Sequence, residues 1–161
     1  MKKIVILFIF IVLCVYAFGL NPKTILRSIA IPFKMIALVT KDPDTTISMP
    51  VDGVNVRSVT NTWQAPRPDR RTHEGQDIFA KKGTNVFSAT EGIVMKVGQD
   101  RLGGNVVFVM GNGGRNYYYA HLDTFNPELK EYNSVTTDTI LGYVGNTGNA
   151  ATTPEHLHFG V

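Results

Sequence analysis

The sequence predicts an all-β domain, a mainly antiparallel sheet with a loop-lined groove, preceded by an apolar amino-terminal segment. Three observations predict it. From Met49 onward, short apolar runs rich in β-branched and aromatic residues alternate with Gly- and Asn-containing turns. Fifteen glycines in 161 residues favour a turn-rich architecture over a helical bundle. No stretch beyond residue 45 repeats its apolar positions with the period of a helix.

The strands are expected in order. Asp77–Ala80 runs into the turn Lys81-Lys82-Gly83, and Thr84–Ala89 leads to Glu91-Gly92 and then Ile93–Val97. Gly103-Gly104 opens Asn105–Met110, and Gly113-Gly114 opens Tyr117–Leu122. Ile140–Val144 precedes the turn Gly145-Asn146-Thr147-Gly148, and His156–Phe159 is the last strand. Residues 49–161 are thereby assigned to one domain, long enough for a real core.

The amino terminus has a different character. Lys2-Lys3 precedes the unbroken apolar run Ile4–Leu20, longer than the ~7–15 residues of a cleavable signal core and close to the ~20 that span a bilayer. Residues 1–20 are therefore an export signal, cut after Gly19 in the small-x-small pattern Ala17-Phe18-Gly19, or a retained inner-membrane anchor. Either way the domain lies outside the cytoplasm, in the periplasm or cell envelope. Cys14 is the one cysteine, so no disulfide forms within the chain, and Leu13 before it is too large for a lipoprotein signal. Residues 21–48 read as a juxtamembrane connector in which Pro32 interrupts any helix. A net charge of +3 is mild and points to no nucleic-acid partner.

The chemistry-bearing residues are four histidines and one aspartate. His156 and His158 are two apart on a strand, so both rings share a face while Leu157 and Phe159 turn to the core. His73 and Asp77 would stand about 13 Å apart on a straight strand, but Gly75 between them permits a sharp bend. His plus Asp, joined by one histidine of the carboxy-terminal pair, gives three protein ligands and an open fourth position, the pattern of a catalytic zinc. Spacing does not choose between His156 and His158. Alternation in Tyr117–Leu122 places Tyr117, Tyr119 and His121 on one face, which makes Tyr119 a candidate for the groove wall and Tyr118 a core residue. Asn149 follows the glycine turn and is placed in the loop beside the groove.

His-x-x-x-Asp at 73–77, Tyr-Ala-His-Leu at 119–122, Gly-Asn-Thr-Gly at 145–148 and His-Leu-His-Phe at 156–159, in this order, resemble the lysostaphin-type (LytM-domain) zinc endopeptidases. The resemblance runs from about Trp63 to Val161 and includes Gly83–Val86 and Glu91–Val94. It implies a β domain with a narrow groove, one zinc ion per chain, and peptide stems or cross-links of bacterial peptidoglycan as substrate. Carried over residue by residue, it makes His73, Asp77 and His158 the metal ligands and His121 and His156 the catalytic histidines. The expected reaction is hydrolysis by a zinc-activated water, with histidine taking and returning the proton. One departure is Glu155, a carboxylate where the family usually has an uncharged residue. The competing class is a non-catalytic peptidoglycan-binding regulator of another wall hydrolase, which would be expected to have lost ligands; all five positions are present. A zinc peptidase acting on proteins is a third reading. Arg67, Arg70 and Arg71 would favour an anionic polymer or form a solvated cluster.

Overall fold

The computed structural model describes residues 21–66 and 72–161. The expectations for residues 1–20, and those for Arg67, Arg70 and Arg71, lie outside the described residues. The chain divides into two units, the first ending at Ala37 and the second spanning Leu38–Val161.

The described part of the first unit is a helix, α1 (Pro22–Val39), whose last two residues belong to the second. Pro22 occupies the first turn, where a missing N–H costs nothing. The expected interruption at Pro32 does not occur, because the helix runs through it at the local cost of one backbone hydrogen bond. Leu26, Ile29, Phe33 and Ile36 form an exposed apolar row along α1. Among the described residues no helix is long and apolar enough to cross a membrane.

The second unit is the antiparallel domain that the runs and turns predict. Its strands are β1 (Gln76–Phe79), β2 (Asn85–Phe87), β3 (Gly92–Asp100), β4 (Gly104–Met110), β5 (Asn116–Phe125), β6 (Ser134–Val135), β7 (Ile140–Val144) and β8 (His156–Gly160). The eight-stranded sheet runs β1-β8-β5-β4-β3-β6, with β7 joining β5 to β2. Only the two-residue β6 was not legible as an apolar run. The core is made by Val86, Val94, Val107, Val109, Tyr117, Tyr119, Leu122, Leu141, Val144 and Leu157, all fully buried.

Two features of this sheet position the site. First, β5 forks. Tyr118–Ala120 pair with β8, whereas Leu122 and Phe125 pair with β7. His121 sits at the fork with φ +62°, a left-handed backbone that few side-chain-bearing residues adopt. Second, the turn before β4 and the turn after β7 pack backbone on backbone. A side chain at Gly104 (φ +66°) would run into Gly148 and Thr147, so the approach requires glycine.

Leu38–Ser48, read from sequence as connector, packs with the β domain. The Asp44 carboxylate accepts hydrogen bonds from Thr90 Oγ1 (2.5 Å), Asn112 Nδ2 (2.9 Å) and Tyr117 Oη (3.0 Å). Burial opposes its charge, but these three bonds and the nearby Arg115 outweigh it and hold the carboxyl below 3.8.

Candidate metal centre

Asp77 on β1 lies directly across from His158 on β8, and Phe79 lies across from His156. Direct pairs in antiparallel strands bring side chains of one face together, so the His-x-His strand delivers both rings beside one carboxylate. Leu157 (0% exposed) and Phe159 enter the core behind them. His158 is flanked on its other side by Ala120, which is small enough to leave the ring room.

His73 arrives from the loop before β1. Its main chain pairs with the preceding segment through His73 N to Ala65 O (3.0 Å) and Gln64 N to His73 O (2.9 Å). The chain bends at Gly75, as expected, and His73 Nε2 comes within 3.0 Å of Asp77 Oδ1. Gly75 has a second role that sequence did not reveal. A Cβ there would stand 2.5 Å from Cε1 and 2.6 Å from Nε2 of His158.

Three ligand-type atoms therefore converge. Asp77 Oδ1 is 3.0 Å from both His73 Nε2 and His158 Nδ1, and the two nitrogens are 2.8 Å apart. His73 Nδ1 donates to the Thr62 carbonyl at 2.7 Å, so its Nε2 presents a lone pair. With His73 Nδ1 donating to Thr62, the neutral ring turns its Nε2 lone pair toward the Asp77 oxygen, inside a site where His73 and Asp77 are buried. Two imidazoles and one carboxylate with mutually close lone pairs fit a divalent cation of borderline softness. Of the carboxy-terminal pair, His158 joins this trio, while His156 Nε2 stays 3.8 Å from Asp77 Oδ1.

The other two histidines stand beside this cluster. The His121 ring lies 5.0 Å from that of His156 and 5.8 Å from that of His158. His121 Nδ1 donates to Thr147 O at 2.8 Å, and His156 Nδ1 donates to Pro154 O at 2.8 Å. Each ring thus keeps Nε2 as an acceptor. Burial pushes the His121 pKa down to about 4 against the opposing pull of the Thr147 carbonyl, so His121 is neutral at pH 7.

The tyrosine assignment is reversed. Tyr119, expected on the groove wall, is fully buried, and its hydroxyl accepts the Ala89 N–H at 2.8 Å. Tyr118 faces the site instead, edge-on to His158 at 5.9 Å, with its hydroxyl donating to Asp100 at 2.9 Å. Counting by twos from His121 fails because the left-handed backbone at His121 itself breaks the pleat. Tyr118 also lines a cavity of about 560 Å³ that flanks His73, together with Trp63, Glu74, Asp100 and Phe108. Asn149 is exposed in the loop that carries Thr147, and its N–H donates to Leu102 O at 2.9 Å.

Thr62 and Gln76 were missed. The Thr62 hydroxyl accepts Asp77 N–H at 2.9 Å, and the Gln76 side chain bonds both Thr62 N (3.2 Å) and Thr62 Oγ1 (3.1 Å). No residue-type signal marks such contacts, since they join backbone groups to a hydroxyl and an amide side chain of common kinds.

Comparison with known proteins adds to this geometry. The sequence model of Peptidase family M23 matches residues 71–161, more than half of the chain. An L-Ala--D-Glu endopeptidase of Bacillus subtilis is 35% identical over 111 residues, covering 65% of this chain and 34% of that protein. The chain thus spans about a third of that relative's length. Among solved structures, the catalytic domain of the antimicrobial peptidase lysostaphin from Staphylococcus simulans has 29% identity and a TM-score of 0.57, covering 64% of this chain and 79% of that one. A zinc-containing peptidase from Vibrio cholerae has 27% identity and a TM-score of 0.58, covering 72% of this chain and 36% of that one.

Proposed function

Because this chain belongs to peptidase family M23, we propose that it is a zinc-dependent endopeptidase that hydrolyses peptide bonds in bacterial peptidoglycan. The observation that carries the proposal is the convergence of His73 Nε2, Asp77 Oδ1 and His158 Nδ1 within 3.0 Å of one another, beside two further histidines. His73, Asp77 and His158 are the proposed ligands of one zinc ion. When bound, it would supply Lewis-acid polarisation and acidify water.

The chain's own groups do the rest. His121, neutral at pH 7 with Nδ1–H held by Thr147, offers Nε2 to take a proton from the attacking water. His156, held by Pro154 O, presents a second Nε2 on the same side. One of the pair accepts the proton and the protonated ring returns it to the leaving amine. Tyr118 and Trp63 wall the adjoining cavity, where one side of a peptide chain would lie, and Asn149 is exposed on the loop that carries Thr147. The relatives named as endopeptidases and peptidases support hydrolysis over a purely regulatory role, as does the presence of all five site residues. Residues 49–161 form the proposed peptidase domain. Residues 1–20 would serve as signal or anchor, and the exposed apolar row of α1 is consistent with a juxtamembrane role for that helix.

The test separates metal binding from turnover. His121→Ala should bind zinc as the parent does and lose on the order of 10²–10⁴-fold in cleavage of purified muropeptides. Undiminished cleavage by that variant would remove His121 from the mechanism.

A further inference from the structure

We propose that Thr62 and Thr147 are positioning residues that divide the site between them, Thr62 holding the metal-ligand half and Thr147 holding His121. Metal affinity and turnover are then set by separate second contacts. The inference rests on the zinc-peptidase reading above for its zinc-affinity and kinetic arms, and its tautomer arm stands apart from it.

Thr62 meets both ligands of the 73–77 pair. Its carbonyl accepts from His73 Nδ1 at 2.7 Å and its hydroxyl accepts from Asp77 N at 2.9 Å. The first bond fixes which His73 nitrogen carries the proton, and the second fixes the backbone from which the carboxylate projects. Gln76 locks Thr62 in turn, accepting from its N–H at 3.2 Å and donating to its hydroxyl at 3.1 Å. Outer contacts of this kind commonly change metal affinity ~10–100-fold.

Thr147 does the equivalent for His121. Its carbonyl accepts from His121 Nδ1 at 2.8 Å. Its hydroxyl donates to Leu122 O at 2.8 Å and accepts from Asn105 N at 2.9 Å, tying the loop to β5 and β4. The left-handed backbone of His121 is held from the other side by His121 N to Gly103 O at 2.7 Å. Without the hydroxyl, the carbonyl that sets the ring loses its fixed place.

The experiment compares Thr62→Val and Thr147→Val with Thr62→Ser and Thr147→Ser in the full chain. Three quantities are read: zinc affinity by chelator competition, imidazole tautomers by ¹⁵N NMR of the metal-free protein, and kcat and KM on a cross-linked muropeptide. Thr62→Val should weaken zinc binding ~10-fold or more and leave the His121 tautomer alone. Thr147→Val should bind zinc normally, lose the single Nδ1–H tautomer of His121, and lower kcat about tenfold at constant KM. Each serine variant should restore the parent values. If Thr62→Val does not fold, Gln76→Ala takes its place, with the same direction expected. Normal zinc affinity in Thr62→Val (or Gln76→Ala), an intact His121 tautomer in Thr147→Val, or parallel losses in both variants would overturn the proposal. If the parent binds zinc but leaves muropeptides intact, the peptidase reading fails, and the zinc and tautomer readouts still decide the division.

Discussion

At position 75 an added Cβ would meet the His158 ring at 2.5 Å and the Phe159 carbonyl at 2.8 Å. Gly75→Ala should therefore displace the ring, cost about 1–3 kcal/mol of stability, and weaken zinc binding; calorimetric titration with zinc, alongside urea unfolding, checks both. The five chemistry-bearing residues were readable because histidine is scarce here, with four in the chain, and because the spacing of Asp77 and the histidines is constrained by strand geometry. Thr62 was not, since its contacts pass through its carbonyl and a hydroxyl that any surface threonine also carries. His121 gives a second prediction. Its folded pKa, about 4, lies below the ordinary 6.5 because the ring is buried. Between those values the unfolded state binds more protons, so stability rises with pH across the window. Metal-free protein should lose stability as pH falls from 6.5 towards 4, by a few kcal/mol at most, and His121→Gln should flatten that part of the curve in urea titrations.

At the scale of the strand, alternation placed β8 correctly because nothing interrupts its pleat: His156 and His158 face the site while Leu157 and Phe159 fill the core. The same rule failed on β5. The fork at His121 changes the strand's partner from β8 to β7, and a left-handed residue at that point transfers the next side chains to other faces. Pairing with a distant strand decides this, and no local pattern encodes it. Tyr119→Phe tests the corrected assignment. It leaves the Ala89 N–H without its acceptor and should cost about 1–3 kcal/mol, with kcat/KM unchanged. A fall in kcat/KM at unchanged stability would return Tyr119 to the groove.

For the molecule as a whole, the compact unit that holds the site starts at Leu38, and Asp44 ties this leading segment to the sheet through Thr90, Asn112 and Tyr117. Sequence placed the boundary later because the residues before Met49 lack strand character, whereas the tie is made by one carboxylate. A chain beginning at Leu38 should fold and retain zinc affinity, and one beginning at Met49 should unfold at lower urea; near-ultraviolet circular dichroism through the titration separates them. The central claim is that the cluster of His73, Asp77 and His158 turns one zinc ion into wall-cleaving activity. Its most direct test is mass analysis of purified peptidoglycan incubated with metal-free protein, with protein given one equivalent of zinc, and with the zinc-treated His158→Ala variant. Newly cleaved peptide bonds are expected with the zinc-loaded parent alone. Equal cleavage by the metal-free protein, or by His158→Ala, would contradict it.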